Sequence, residues 1–205
     1  NGMPADFSWT VAPNANITGE TGGSGDILAQ TLANTATTVQ TLTYTVTPTA
    51  EGANCAGGPF TVTVAVQPQP LIAFTATTPQ GAGTKTNYGG PASLDAQLCN
   101  GDQLTLSGFN RNLGTVGLLE KRTSSGNVSG VPADEPETDI PPGSATAALA
   151  GMFGPYTLAS GNSGSLTRVY TPYVDLDGNN QYDAGADCLG DPLTLHATIY
   201  ALPDA

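Results

Sequence analysis

The chain is poor in charge, and poorest in positive charge. Only 11% of its 205 residues are charged, and Lys and Arg together number 5 against 17 Asp and Glu. Phosphate affinity comes from cationic side chains that displace counterions, so a net charge of -12 excludes nucleic acid as a partner. Anionic lipid is disfavoured for the same reason, and hard cations are the natural counter-charge. No apolar run approaches the roughly 18 residues that cross a bilayer as a helix, so no membrane insertion of that kind is expected. The first residues do not read as a signal peptide; if the protein is exported, its targeting segment was removed or lies outside this sequence.

Catalytic residue types are equally scarce. His196 is the only histidine, so a Ser-His-Asp set would have to use it, and no Gly-x-Ser-x-Gly elbow accompanies it. Aromatics make up 6% of the chain, too few for the aromatic cleft a glycosidase needs. The carboxylates of Asp134, Glu135, Glu137 and Asp139 crowd one Pro-rich stretch, expected to be a solvated loop, rather than facing each other across a gap. The expectation is a protein without enzymatic activity.

What the chain does hold is a repeat. Cys55, Gly57, Pro59 and Thr61 recur as Cys188, Gly190, Pro192 and Thr194. Phe60, Val62, Val64 and Val66 recur as the apolar Leu193, Leu195, Ala197 and Ile199. Upstream, Leu42, Thr43, Thr47 and Pro48 return as Leu166, Thr167, Thr171 and Pro172. A repeated strand-forming unit is the mark of a modular array. The expected organisation is two domains, 1–70 and 71–205, split at the Pro-rich stretch 67–70.

Period-2 alternation predicts strands. Phe7 and Trp9 point inward on the first, Leu42, Tyr44 and Val46 on the next, and Phe60 to Val66 line the last of the first half. Residues 27–33 read as a short strand or one helical turn. The second half opens with a strand at 71–76 and a Gly/Thr/Pro loop to about residue 91. A strand–turn–strand follows around residues 99–102, then a charged turn at 120–126, a short helix within 145–152, and strands at 166–173 and 193–200. Many short strands with close turns predict an all-β sandwich.

One loop carries a chemical pattern. Between residues 175 and 187 stand Asp175, Asp177, Asn179, Gln181, Asp183 and Asp187. Carboxylates at positions 1, 3, 9 and 13 repel unless neutralised, and Gly178 and Gly185 let the backbone curl so that they converge. Calcium takes about six to eight oxygens and accepts such irregular loops, so Ca2+ is the expected cofactor, with the Gln181 carbonyl as one ligand. The pattern departs from an EF-hand at its sixth position, where Asn180 replaces Gly, and at its twelfth, Ala186, for which Asp187 would substitute. A solvated Asx-rich turn is the plain alternative.

Three cysteines make an odd number. Cys99 and Cys188 bracket the second domain, which suggests a disulfide closing it. Cys55 then lacks an equivalent partner, so the first domain is expected to be cut off at its N-terminus or completed by a strand from elsewhere. Three unrelated thiols are the alternative.

Phe7, Ser8 and Trp9, then Asn16 to Gly19, Gly25 to Ile27, Leu32 to Asn34, Tyr44 to Pro48, Cys55 to Gly57 and the closing Thr-Val-Thr-Val strand resemble the PKD-like, immunoglobulin-like repeats of giant Bacteroidota surface proteins, gliding-motility adhesins among them. The resemblance spans most of residues 7–70 and is weaker beyond. It implies two tandem immunoglobulin-like (PKD-like) β-sandwich domains, an extracellular, cell-surface location reached by type IX secretion, and structural or adhesive duty without catalytic residues. Neighbouring repeats or like subunits would be the partners. Two further readings remain: a filament subunit assembled by strand donation, and a carbohydrate-binding module for surface glycans using an exposed tyrosine such as Tyr88 or Tyr173.

Overall fold

Threonine alternating with aliphatic and aromatic residues decides the local structure of both halves, because one face of each strand can be buried and the other hydrated. The computed structural model describes residues 4–52, 55–126, 128–130 and 134–203. They are nearly all strand and turn, in two units, Asn1–Gln69 and Pro70–Ala205. The all-β class follows as composition predicts.

The first unit comprises β1 (Ala5–Val11), β2 (Ile17–Thr18), β3 (Gly23–Ser24), β4 (Ala33–Asn34), β5 (Gln40–Ala50) and β6 (Phe60–Val66). An antiparallel sheet has the order β3-β1-β5-β6, and β2 pairs with β4. On β5, Leu42, Tyr44 and Val46 are buried while Thr41, Thr43 and Thr45 are exposed. With Ile17 they form a small core, against which Phe7, Trp9, Leu28 and Leu32 pack. The stretch 27–33 is neither helix nor a full strand; only Ala33 joins β4, and its leucines plug the core from a loop. Trp9 lies along Gly23, where an added Cβ would come within 2.9 Å of the indole. The tryptophan therefore needs a glycine beside it.

The second unit comprises β7 (Ile72–Thr78), β8 (Gly81–Thr86), β9 (Ala92–Cys99), β10 (Leu104–Arg111), β11 (Val116–Ser125), β12 (Val128–Ser129), β13 (Glu135–Ile140), α1 (Ala145–Leu149), β14 (Gly151–Phe153), β15 (Thr157–Leu158), β16 (Ser163–Val174), β17 (Cys188–Leu189) and β18 (Leu193–Tyr200). One sheet runs β14-β10-β7-β8; the other runs β13-β11-β16-β18-β9, with β17 attached to β16. Leucines and aromatics from both sheets share one core. The Phe74 and Tyr170 rings meet edge-on across it, 5.5 Å apart and at 80°. Such a pair adds about 0.5–1.5 kcal/mol beyond the area it buries.

Three expectations for this unit are corrected and one is met. The loop to residue 91 contains β8, hidden by its Gly/Thr composition; Gly83 lets it cross Leu94, which an added Cβ would meet at 2.8 Å. The turn at 99–102 forms, with Asp102 Oδ2 accepting the Cys99 N–H at 2.8 Å, but it carries the chain from one sheet to the other. The charged turn at 120–126 is mostly the continuation of β11. The acidic Pro-rich loop is largely the edge strand β13, paired with β11; its residue 133 lies outside the described residues. An edge strand tolerates Pro136, which has no N–H to donate.

The sequence repeat reappears as pairing register. Leu42 lies opposite Val64 and Leu166 opposite Ala197. Thr43 lies opposite Thr63 and Thr167 opposite His196. Below the hairpins, the Gly57 N–H donates to Pro48 O at 2.8 Å and the Gly190 N–H to Pro172 O at 2.8 Å. An added Cβ would touch the Pro48 ring at 3.0 Å in one case and the Pro172 ring at 3.1 Å in the other. The repeated Pro and Gly are one contact made twice.

Burial also sets a pH limit. It pushes the Tyr156, Tyr170 and Tyr173 phenols above their ordinary 10.0, Tyr173 further because its hydroxyl donates to Asp139. Above pH 10 the unfolded chain gives up these protons while the folded one keeps them, so stability is full below pH 10 and falls as pH rises. Melting from pH 8 to 11.5 is expected to show a steady drop beginning near pH 10; a flat profile would refute it.

Candidate functional site

The acidic loop leaves β16 after Val174 and returns at Cys188, and those two residues pair across the loop's base. Its backbone curls inward because carboxylates cap its own amides. Asp175 Oδ1 accepts from the Gly178 N–H at 2.7 Å and its Oδ2 from the Asn180 N–H at 3.0 Å. Asp187 Oδ1 accepts from the Leu176 N–H and Oδ2 from the Asp183 N–H, both at 2.9 Å. Asn179 Oδ1 accepts from the Gln181 N–H at 2.7 Å. Asn180 turns the chain at φ 65°, the left-handed region where Asn is the best-tolerated residue after glycine. The replacement at the sixth position is therefore sterically accommodated.

This folding gathers Asp175, Asp177 and Asp187, with one oxygen from each lying within 4.8 Å of the others. Asp175 is buried, Asp187 half-buried and Asp177 exposed. Asp183 stands outside that group and is tied to it through the Asn179 side-chain amide, which donates to both Asp177 and Asp183. Three carboxylates that close repel at neutral pH. A divalent cation is the chemical species that would relieve them while leaving the backbone bonds in place.

Two residues outside the loop, named from the sequence only in other roles, hold it. Tyr173 is buried, donates its hydroxyl to Asp139 Oδ1 at 2.8 Å, and stacks obliquely on Tyr182 at 5.5 Å. Asp139 Oδ2 accepts the Tyr182 N–H at 2.7 Å. Strand β13 thereby fastens the middle of the loop. The burial of Tyr173 also removes it as a sugar-stacking platform, whereas Tyr88 is 66% exposed.

The expected Cys99–Cys188 disulfide is overturned. Both thiols are free. Cys99 pairs with Tyr200, which lies opposite Ser163 at one end of β16, while Cys188 lies opposite Val174 at the other end. At about 3.3 Å per residue the ends of this 12-residue strand are roughly 35 Å apart, against the ~7 Å between Cα atoms that a disulfide spans. The repeated cysteine instead marks a backbone position: Cys55 O accepts the Ala50 N–H at 2.9 Å, where Cys188 faces Val174.

His196 is exposed on the outer face of β18, its Nδ1 3.0 Å from Thr167 Oγ1. Asp134 Oδ1 accepts from the Ser124 N–H at 2.7 Å and from its hydroxyl at 3.0 Å. With Asp139 committed to Tyr173 and Tyr182, these carboxylates make local structural bonds rather than facing a cleft.

Comparison with known proteins adds one finding. The family model described as a PKD-like domain matches residues 2–70, which is the first unit. No curated protein and no solved structure matches the chain. No helix among the described residues is long and apolar enough to cross a membrane.

Proposed function

We propose, taking the PKD-like match of the first unit as premise, that the chain is a non-catalytic structural or adhesive module of a secreted surface protein. Its second unit would be stiffened by a divalent cation, Ca2+ first, in the loop 175–187. The observation that carries this reading is the shared hairpin register, which supports reading the second unit as a variant of the first. PKD-like domains occur in extracellular proteins, which supports display outside the cell. A place in an adhesin of the gliding-motility type, exported by a type IX route, is the finer form of the proposal and rests on the resemblance within residues 7–70. Neighbouring repeats or like subunits are its proposed partners.

The cation is the part most readily tested. Calcium is expected to raise the melting temperature of the intact chain and a chelator to return it. Binding to the native state alone stabilises by about 2.7 kcal/mol at a hundredfold excess over Kd. Asp175→Asn and Asp187→Asn are each expected to abolish the shift. An unchanged melt in millimolar calcium would remove the cation from the proposal. Labelling of intact source cells with an antibody to the chain tests surface display separately.

A further inference from the structure

The closing strand of the second unit has a neighbour on each side. Antiparallel β16 lies on one edge of β18, and β9 runs parallel along the other. Ala92, Leu94, Ala96 and Leu98 thereby sit opposite Leu193, Leu195, Ala197 and Ile199. All four residues of the β18 row are 0% exposed.

β6 is the counterpart of β18 by sequence and by register, yet among the described residues only β5 lies beside it. The difference shows in its inward row. Phe60 lies opposite Val46 and Val62 opposite Tyr44, on the core face, but they are 47% and 40% exposed. They open on a cleft of about 410 Å³ lined by Trp9, Leu28, Val46, Phe60, Val62 and Val64. A strand edge with unpaired backbone groups beside an apolar wall is a template for an added strand. Its far end is closed, because Asn34 Nδ2 donates to Val66 O at 2.8 Å. The open stretch is 60–65.

We infer that β6 accepts a strand from outside these 205 residues. The strand runs parallel to β6 and carries apolar side chains at alternate positions opposite Phe60, Val62 and Val64, the chemistry of β9. A second copy of this chain is a poor occupant: its β9, the strand of matching chemistry, is already held by its own β18, and two chains of net charge -12 repel. Residues 1–69 hold Asp6, Glu20, Asp26 and Glu51 but neither Lys nor Arg, so the accepted strand is neutral or basic on its polar face. This inference goes beyond the structural role proposed above and does not depend on the cation.

Trp9 is the only tryptophan and lines the cleft, so its fluorescence reports occupancy. The probe is the β9 octapeptide with Asn for Asp95 and Ser for Cys99, added to the intact chain. A saturable blue shift of Trp9 emission is expected, with slowed amide exchange at residues 61–65. An octapeptide of the same composition with its apolar residues made adjacent is expected to bind at least tenfold more weakly. Val62→Asp, 40% exposed on the cleft wall, should weaken binding at least tenfold while the chain still melts cooperatively. The inference is overturned by no shift up to the peptide's solubility limit, by equal binding of the rearranged peptide, or by undiminished binding to Val62→Asp. Sedimentation showing the chain already dimeric with residues 61–65 protected would overturn it too, by giving the edge to a second copy.

Discussion

Glu120→Ala is expected to destabilise the second unit by about 3–5 kcal/mol, the usual cost of stripping one partner from a buried ion pair. Glu120 and Arg168 are 4% and 2% exposed. Arg168 Nη1 lies 3.4 Å from Glu120 Oε1 and 3.4 Å from the Tyr170 hydroxyl, and the guanidinium sits 4.2 Å above the Phe153 ring. Without Glu120 a positive charge stays buried against apolar walls. The reverse change is milder. Arg168→Met leaves Glu120 with Arg122, whose Nη2 approaches Oε2 at 2.6 Å from a side chain 26% exposed. Replacing both partners, Glu120→Leu with Arg168→Met, removes the desolvation cost along with the attraction, so the double variant is expected to stand well above Glu120→Ala. Denaturant melts of the three variants check this. A double variant less stable than Glu120→Ala would show that the pair attracts more strongly than its burial costs.

The same pair marks the limit of what alternation reveals. Trp9 on β1 lies opposite Val46, and Glu120 on β11 lies opposite Tyr170, the counterpart of Val46. An indole in one unit is thus replaced by a carboxylate in the other. Residues 120–126 read as a turn because they are charged, and charge usually marks solvent. The corrective signal was present: Arg168 shares the parity of Leu166 and Tyr170 on a strand whose inward row is buried. Two opposite charges on inward rows of neighbouring strands are a pair waiting to be matched. Strands β8 and β13 stayed hidden for a different reason. Both lie at sheet edges, where pairing on one side suffices and side-chain pattern counts for little.

The large apolar strands and the hairpin repeat were legible because burial imposes a period on residue type. The cysteines misled because their recurrence was read as sulfur chemistry, when the conserved quantity was a place in the hairpin. In the acidic loop, local spacing sufficed to nominate Asp175, Asp177 and Asp187. Sequence distance hid Asp139, which reaches the loop only because β13 lies beside β11 and β11 beside β16.

That distant support leads to the second large effect. Tyr173→Ala is expected to cost about 3–5 kcal/mol as a large-to-small change at a fully buried aromatic. The void would be sharp-edged. Gly117 lies under the ring so closely that an added Cβ would fall 2.3 Å from Tyr173 Cζ, so no side chain stands there to fill the gap. The variant would also release the loop. The hydroxyl bond to Asp139 and the stacking on Tyr182 vanish together, and Asp139 keeps only its bond from the Tyr182 N–H. Tyr173→Phe separates the two effects: it keeps the ring, removes one hydrogen bond worth about 0.5–1.5 kcal/mol, and should leave most of the stability intact. Terbium luminescence sensitised by Tyr182 then reads the loop directly. Affinity is expected to fall at least tenfold in Tyr173→Ala and far less in Tyr173→Phe. If Tyr173→Ala melted low yet bound terbium as the parent does, the loop would be self-supporting, and the tyrosine would be a core residue alone.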